Sequence, residues 1–461
     1  MKQEYVIVWI MRFVHTSKAK IRSAYFRFRK LSKQFFRSKE QVVAEPKPWM
    51  YEVPYPKVNN NLQKPKQSIW PYLIFAVIVV GFVGLIAVAC VNLDEGYWMV
   101  NGKLFLTAIE KKDWLGTYVS TDAAHPGVTV MWISALIWKI FTPSGEAINH
   151  LHRLVFFLVR FSGIGLILYL LLKKFKVSSQ PIILVGIYLA FNAYIGIGLK
   201  ATWLDQLLAT SIALASICWF IYLKEKSDQW VVGAGVFWGL ALATKIMALF
   251  WVPMMGVLTL IYFPKFWQHL NIVWAGLKVG IIGILIYFIL FPAAVIKPFE
   301  VPLSRFVGDV AKQHVEVTIG GSGIAQTATF YPTQWFTAEG TVGIGIVLVI
   351  YFIIRNRNKA FANYSLIGFG IVGTVYVLML LVPALLLKDS WGDKDYAYLA
   401  TRYMAPAIPL MSIWVFGVIN QTKISRVGII IMVVLFGLTL NQIPLVSNLA
   451  AVEQFLLRFV F

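Results

Sequence analysis

Charged residues are scarce in this sequence. Only 14% of its 461 residues are charged, against roughly 25% in a soluble domain, whereas 59% are hydrophobic and the mean hydropathy is +0.70. A water-soluble fold could not bury that much apolar surface, so a soluble protein is excluded.

Cysteine is also rare. Cys90 and Cys218 both lie in apolar runs, where they are expected to be small buried hydrophobes, and no disulfide framework is implied.

Acidic residues are rarer than basic ones, with 21 Asp and Glu against 42 Lys and Arg, which gives a net charge of +21. Such an excess can indicate a nucleic-acid partner or an anionic surface. Its distribution favours the membrane, because the first 67 residues form a basic segment and much of the remaining positive charge lies in short loops between apolar runs. That is the pattern of cytoplasmic loops, and we expect no nucleic-acid binding.

Long apolar runs recur from residue 69 almost to the end. Runs of this length predict membrane-spanning helices, so the fold class is an all-α polytopic transmembrane bundle of about 11–12 spans. Gly235 and Gly239 allow close contact between two of these helices. The predicted spans are about 69–92, 151–172, 181–199, 206–223, 230–245, 246–264, 272–292, 341–354, 363–387, 404–420 and 427–445.

Two domains are predicted, 1–67 and 68–461. Residues 18–39 interleave basic and aromatic side chains at helical spacing, which predicts an amphipathic helix on the anionic lipids of the inner leaflet. A disordered basic tail is the alternative. Residues 41–67 contain five prolines and read as a linker. The remainder, 68–461, is the predicted transmembrane catalytic domain.

Orientation follows from the positive charges between the spans. With the N-terminus in the cytoplasm and 11 alternating spans, each basic cluster between spans lies inside, as the positive-inside rule requires. The two long polar stretches, 93–125 and 293–340, then lie outside. This assignment requires that the short apolar run 126–141 does not cross, so we predict a short or re-entrant helix there. Alternatively it crosses, and two neighbouring spans are misdivided.

Two adjacent carboxylates, Asp94 and Glu95, stand where the first apolar run ends. Tyr97 and Trp98 follow at once, which predicts a structured interfacial helix in the first outer loop. Asp205 is a single acid at another outer boundary, and such a charge costs roughly 2.5–3.5 kcal/mol at the centre of a membrane. Acids on one face of a bundle suit acid/base chemistry or cation binding.

Basic residues also occur in the outer stretches, close to carboxylates. Lys297 and Arg305 lie in 293–340, and Arg402 lies at the end of another outer loop. Arginine binds phosphate in a bidentate manner and lysine is also a common phosphate partner. These residues therefore suggest an anionic headgroup as the ligand.

The order of these motifs resembles the GT-C class of membrane glycosyltransferases. The likeness is greatest to the protein O-mannosyltransferases and their bacterial relatives, the lipid A aminoarabinose transferases. It rests on an acidic pair after the first span and a His-Pro motif about 30 residues later, and it covers about residues 69–420. The matching segments are Asp94-Glu95, His125-Pro126, ATWLDQLLA, GLALATK ending at Lys245, FYPTQWF at 330–336 and RYMAPAIPL beginning at Arg402.

The resemblance implies inverting transfer of a sugar from a polyprenyl-phosphate donor, on the extracytoplasmic face of a bacterial-type plasma membrane. Asp94 would be the general base toward the acceptor hydroxyl. Glu95 and Asp205 would hold the acceptor or a divalent ion. His125, with Tyr97 nearby, would orient the loop or the acceptor.

The donor phosphate would be bound by positively charged residues, for which the candidates are Arg402, Lys297, Arg305 and Lys245. A divalent metal is the one cofactor considered, with His314 and Glu316 as candidate ligands. The acceptor, which could be a lipid, a glycan or a protein, is left open. One departure from the family pattern is Gly127, which stands where the eukaryotic enzymes have a second proline.

Other readings of these residues stay open. Lys245 could extend to the interface, Arg402 could pair with Asp393 or Asp395, and His125 could only cap a helix. The alternative function is a secondary transporter of an anionic solute. Transporters place polar residues near the midplane, whereas these acids lie at outer boundaries, which favours an interfacial enzyme.

Overall fold

A computed structural model describes the following parts of the chain: 95–118, 127–141, 147–175, 177, 179–194, 203–263, 270–301, 340–355, 366–386 and 404–421, with the single helical residues 77, 81 and 84. All of them belong to one compact unit, Lys64–Phe461. Within these ranges the chain forms helices and no strand. The all-α prediction is therefore confirmed. The predicted tail, linker and last span lie outside the described residues.

The helices follow the apolar runs predicted from the sequence. Among the described residues they are α1 (Glu95–Glu110), α2 (Val128–Phe141), α3 (Ala147–Lys174), α4 (Ser179–Tyr194), α5 (Trp203–Glu225), α6 (Asp228–Thr244), α7 (Trp251–Tyr262), α8 (Leu270–Leu290), α9 (Pro292–Ile296), α10 (Gly340–Arg355), α11 (Ile367–Leu386) and α12 (Ala407–Gln421).

Within the described ranges, three segments are long and apolar enough to cross a membrane: Ile148–Lys174, Trp203–Glu225 and Leu270–Leu290. The α5 segment is almost wholly buried inside the bundle, whereas α8 exposes much of its apolar surface, including Ile281 and Ile289. An exposed aliphatic face of this length is stable only against lipid tails. The chain is an integral membrane protein.

Helix α1 lies where the sequence predicts an interfacial helix. Its first residue is Glu95, an acid in the first turn, which complements the positive end of the helix dipole. Trp98 and Phe105 are buried, while Val100 and Leu104 are exposed. The predicted helix is confirmed, and its position at the membrane interface stays a prediction.

Helix α2 occupies the run 126–141 and contains 14 residues. At 1.5 Å per residue it is about 21 Å long, shorter than the roughly 30 Å hydrocarbon core of a bilayer. The helix is short, as predicted. It packs against α1 and α6, and its depth in the membrane stays a prediction.

Helices α6 and α8 touch through their glycines. A Cβ at Gly239 would lie 2.7 Å from the carbonyl oxygen of Gly283, and one at Gly235 would lie 2.7 Å from Ile282. Only glycine permits this separation of the two backbones. The close helix contact predicted from Gly235 and Gly239 is confirmed.

Candidate active site

Asp205 and Lys245 form a buried ion pair. Asp205 is in the first turn of α5, and Lys245 directly follows α6. Its Nζ lies 3.0 Å from Oδ1 of Asp205, and the side chains of Lys245 and Asp205 are 1% and 2% exposed. A buried charge without a partner is costly, so each of these two residues offsets the cost of burying the other.

The backbone at Lys245 sets up this pair. Helix α6 ends at Thr244, Lys245 is extended with φ −155° and ψ 132°, and a 3₁₀ turn over Ile246–Phe250 leads into α7. The sequence on both sides of this break is apolar. It directs the lysine side chain across to the start of α5 instead of along the axis of α6.

Glu95 and Arg153 form a second buried pair. Nε of Arg153 donates to Oε2 of Glu95 at 2.9 Å, and Nη2 donates to Oε1 at 2.5 Å. Both carboxylate oxygens are therefore bound by one guanidinium, the bidentate geometry that arginine favours. The pair joins the first turn of α1 to α3.

His152 lies beside Arg153 and connects α3 to the start of α5. Its ring stacks on Trp203 at 6.3 Å, and Phe156 stacks on the same indole at 4.0 Å. Its Nδ1 lies 2.8 Å from the carbonyl oxygen of Ile148 and its Nε2 lies 2.9 Å from the hydroxyl of Ser134. Since a carbonyl can only accept, Nδ1 carries the proton, and in the neutral ring Nε2 accepts from the serine.

Gly127 connects α2 to α6. Its N–H donates to the carbonyl of Thr244 at 3.1 Å, and the hydroxyls of Thr129 and Thr244 are 2.7 Å apart. Gly127 has φ +60°, and a Cβ there would lie 2.2 Å from the Trp98 ring. Proline fixes φ near −65° and has no N–H. The local backbone is therefore incompatible with a proline at position 127.

These contacts close a ring around one end of the bundle. Glu95 binds Arg153, and the neighbouring His152 stacks on Trp203. Two residues after Trp203, Asp205 binds Lys245. Thr244, next to Lys245, accepts a hydrogen bond from Gly127, and Gly127 packs on Trp98 of α1. Described residues from four of the sequence segments singled out above are thus brought together: Glu95 of the acidic pair, Gly127 of the His-Pro-Gly segment, Trp203 and Asp205 of ATWLD, and Thr244 and Lys245 of GLALATK. We call this ring the polar ring.

The other predicted site residues are placed as follows. Tyr97 is exposed on α1 and its ring contacts Trp98. Lys297, after α9, is exposed and pairs with Glu300 at 2.7 Å. Helix α9, which precedes it, is joined to the stretch 93–125, because the N–H of Ala293 donates to Oγ1 of Thr117. The remaining predicted residues lie outside the described ranges: Asp94, His125, Arg305, His314, Glu316 and Arg402.

Arg153 was not among the predicted site residues. The signal was in the sequence, since Arg153 and Arg160 interrupt the apolar run 151–172, and ionisable residues within such runs are rare and functional by default. Both are buried in the structure.

The residues described here form no candidate metal site. No group of three or more His, Cys, Asp or Glu side chains among them is arranged to hold an ion. His314 and Glu316 are not among the described residues, so metal binding by this pair stays a prediction.

Comparison with known proteins does not assign this chain to a family. No family model matches the chain, and neither does any curated protein. Among solved structures it is similar to the archaeal oligosaccharyltransferase AglB from Archaeoglobus fulgidus, determined in complex with an inhibitory peptide and a dolichol-phosphate. The identity is 14%, the TM-score is 0.46, and the match covers 83% of this chain and 56% of that chain. A likeness of this degree does not assign the chain to a family.

Proposed function

We propose that this chain is an inverting glycosyltransferase of the GT-C type, which moves a sugar from a polyprenyl-phosphate donor to an acceptor hydroxyl. The observation that supports the proposal is the polar ring. Described residues from four segments of the expected pattern, spread between Glu95 and Lys245, meet around two buried acid–base pairs. Ionisable residues buried within apolar helices are costly and are retained for function.

In the proposed reaction the acceptor oxygen forms a bond to the anomeric carbon from the face opposite the phosphate. The bond between that carbon and the phosphate oxygen breaks, and the polyprenyl phosphate leaves with the bonding electron pair. The hydroxyl proton passes to a carboxylate acting as general base. A lipid phosphate is a good leaving group, so electrostatic stabilisation of its charge matters more than a general acid.

Asp94 is our choice for the base. Both oxygens of its neighbour Glu95 are held by Arg153, so that carboxylate is poorly placed to take up a proton. Asp94 immediately precedes α1, which the Glu95–Arg153 pair anchors to α3. We propose that Glu95 positions α1, and with it Asp94.

Asp205 and Lys245 have a separate role in this proposal. Because the ammonium of Lys245 already binds a carboxylate, it is less available for a phosphate than its charge alone suggests. We propose that the pair forms a polar wall against the sugar or the acceptor. Arg402, Arg305 and Lys297 are left as the candidates for binding the donor phosphate.

The proposal also covers location and partners. The reacting end faces the extracytoplasmic side of a bacterial-type plasma membrane, and the N-terminus lies in the cytoplasm, where its basic segment binds anionic lipids. This orientation is supported by the positions of the basic loops. The acceptor is a lipid, a glycan or a protein.

The test is a transfer assay with the purified chain in liposomes, supplied with a panel of radiolabelled polyprenyl-phosphate sugars and membrane extracts as acceptors. We expect Asp94→Asn to abolish transfer while donor binding persists. The matched control is Glu110→Gln, which changes an exposed acid at the other end of α1. Full transfer by Asp94→Asn would remove Asp94 from the mechanism. Uptake of an anionic solute without any transfer would favour the transporter instead.

A further inference from the structure

Two buried side chains of α1 each carry a hydrogen-bond donor that the fold does not use. Trp98 and Asn101 are 2% and 7% exposed. Within the part of the chain that the structure describes, neither the indole N–H of Trp98 nor the Nδ2 amide group of Asn101 has an acceptor. A buried donor without an acceptor destabilises a fold, and such groups are rare in native proteins. Two of them, one turn apart, therefore indicate a role other than folding.

Loose packing does not account for these two donors, because tryptophans packed nearby are hydrogen-bonded. Trp138 of α2 donates to the carbonyl of Met99 on α1 at 3.1 Å, and Trp132 donates to the carbonyl of Leu290 at 2.8 Å. Elsewhere in the bundle, four more buried indoles also donate their N–H: Trp219, Trp238, Trp251 and Trp414. Trp98 differs from all of them.

The two donors lie on the buried side of α1 and follow Glu95. Glu95, Trp98 and Asn101 are three residues apart, so they are neighbours at about 4.5 Å intervals along the helix axis. A Cβ at Gly127 would lie 2.2 Å from Cζ3 and 2.3 Å from Cη2 of the indole, so Gly127 packs on its benzene edge. The N–H belongs to the other ring and points away from Gly127. Helical side chains lean toward the start of their helix, which directs both donors toward Glu95 and the polar ring.

The chemistry of the two groups limits what they can bind. An indole N–H and an amide NH₂ only donate, so the ligand must present acceptor oxygens. Both groups are neutral, whereas phosphate and carboxylate groups are bound best by arginine or lysine. Hydroxyl oxygens of a saccharide fit two neutral donors at this spacing. Ligand sites are commonly built in this way, from apolar walls with a few polar groups that fix orientation.

Burial of the donors also affects how strongly they can bind. Neither nitrogen is accessible to water. The free energy of removing water from them is therefore already included in the folded state, and a hydrogen bond formed there contributes more to binding than one at the surface. Because protein atoms cover both nitrogens, a hydroxyl reaches them only if α1 or its surroundings shift as the substrate binds.

We propose that Trp98 and Asn101 bind hydroxyl groups of a sugar that reacts at the polar ring. This inference rests on the proposed function and names a substrate-binding face for it. The hydroxyls belong either to the sugar of the polyprenyl-phosphate donor or to a saccharide acceptor. Bound along α1, this sugar lies beside Asp94, which directly precedes the helix. Both residues bind substrate, and neither exchanges a proton with it.

The first test replaces the unused amide by an apolar group of similar size. Asn101→Leu should leave the thermal unfolding midpoint unchanged or raise it, because no hydrogen bond of the protein is lost. The KM of one substrate should rise about tenfold, the contribution of one hydrogen bond, with kcat almost unchanged. The substrate is the polyprenyl-phosphate sugar that the panel assay identifies. Separate titration of donor and acceptor shows which of them carries the bound hydroxyl.

The matched control is Thr117→Val, which also replaces a buried polar group by an apolar one of the same shape. The hydroxyl of Thr117 is hydrogen-bonded, because it donates to the carbonyl of Trp114 at 2.6 Å and accepts from the N–H of Ala293 at 3.0 Å. Thr117→Val should therefore lower the unfolding midpoint and leave both KM values unchanged.

The second test pairs Trp98→Phe with deoxy analogues of the sugar substrate, each of which lacks one hydroxyl. The unaltered chain should use one analogue about tenfold less efficiently than the complete sugar. Trp98→Phe lacks the N–H, so it should use that analogue and the complete sugar equally well. Loss of stability from the smaller ring does not produce this loss of discrimination, which makes discrimination the deciding measurement.

Several outcomes would overturn the inference. One is an unchanged KM in Asn101→Leu, and another is unchanged discrimination in Trp98→Phe. A fall in the midpoint of Asn101→Leu as large as that of Thr117→Val would show that the amide is already hydrogen-bonded in the free protein. These results refute the inference while transfer by the unaltered chain upholds the proposed function. Absence of transfer by the unaltered chain with every donor refutes the proposed function, and the inference with it.

Discussion

The ammonium of Lys245 lies 3.0 Å from the carboxylate of Asp205; Asp205 is in the first turn of α5, and Lys245 directly follows the end of α6. Neither side chain reaches solvent. The pair lies where α6 breaks, so it links the start of one helix to the end of the next. Its buried position lets the contributions of charge and of packing be separated by substitution.

Removal of one member of this pair should be worse than removal of both. Lys245→Met leaves the Asp205 carboxylate buried without its lysine, which we expect to cost about 3–5 kcal/mol of stability. The double variant Asp205→Asn with Lys245→Met should recover part of that loss. Thermal unfolding of the purified protein in detergent measures both. A double variant no more stable than Lys245→Met would contradict this account.

Arg153 should be essential for the position of α1. Arg153→Met leaves Glu95 buried without its bidentate partner, so we expect a loss of about 3–5 kcal/mol and of sugar transfer. Lys139→Met breaks the exposed Lys139–Glu110 pair, whose contribution should be about 0–1 kcal/mol. Thermal unfolding and the transfer assay distinguish the two. Similar effects of both substitutions would show that burial of the Arg153 pair is unimportant.

Gly127 should not tolerate a side chain. In Gly127→Ala a methyl group meets the Trp98 ring and the backbone stays at φ +60°, so we expect about 1–3 kcal/mol from the backbone alone, with the ring contact added to it. Gly96→Ala, on α1, meets nothing within 4 Å and should be neutral or stabilising by up to about 1 kcal/mol. Thermal unfolding compares the two. A neutral Gly127→Ala would mean that Trp98 moves aside easily.

The helices could be predicted from the sequence because burial in lipid requires long apolar runs. The span predicted at 206–223 is α5, Trp203–Glu225, and the one predicted at 272–292 is α8, Leu270–Leu290. Apolar periodicity does not report a change of helix type. The run 246–264, predicted as one span, begins as a 3₁₀ turn because the chain bends at Lys245.

The candidate residues were predictable one by one, but their partners were not. Asp205 and Lys245 are 40 residues apart, and Glu95 and Arg153 are 58 apart. Such pairs depend on which helix faces pack together, and a single sequence does not contain that information. The reason for glycine at position 127 was equally hidden, because it depends on the Trp98 ring and on the carbonyl of Thr244.

The link between α2 and Thr244 bears on how the chain matures during synthesis. The threonines it joins, Thr129 and Thr244, are 115 residues apart, so the earlier segment leaves the ribosome long before its partner exists. Until that partner arrives, the N–H of Gly127 lacks its acceptor at Thr244. The beginning of α2 is therefore completed only after α5 and α6 have been inserted. A nascent chain halted before residue 244 would be inserted in the membrane while the start of α2 still lacks its polar partners.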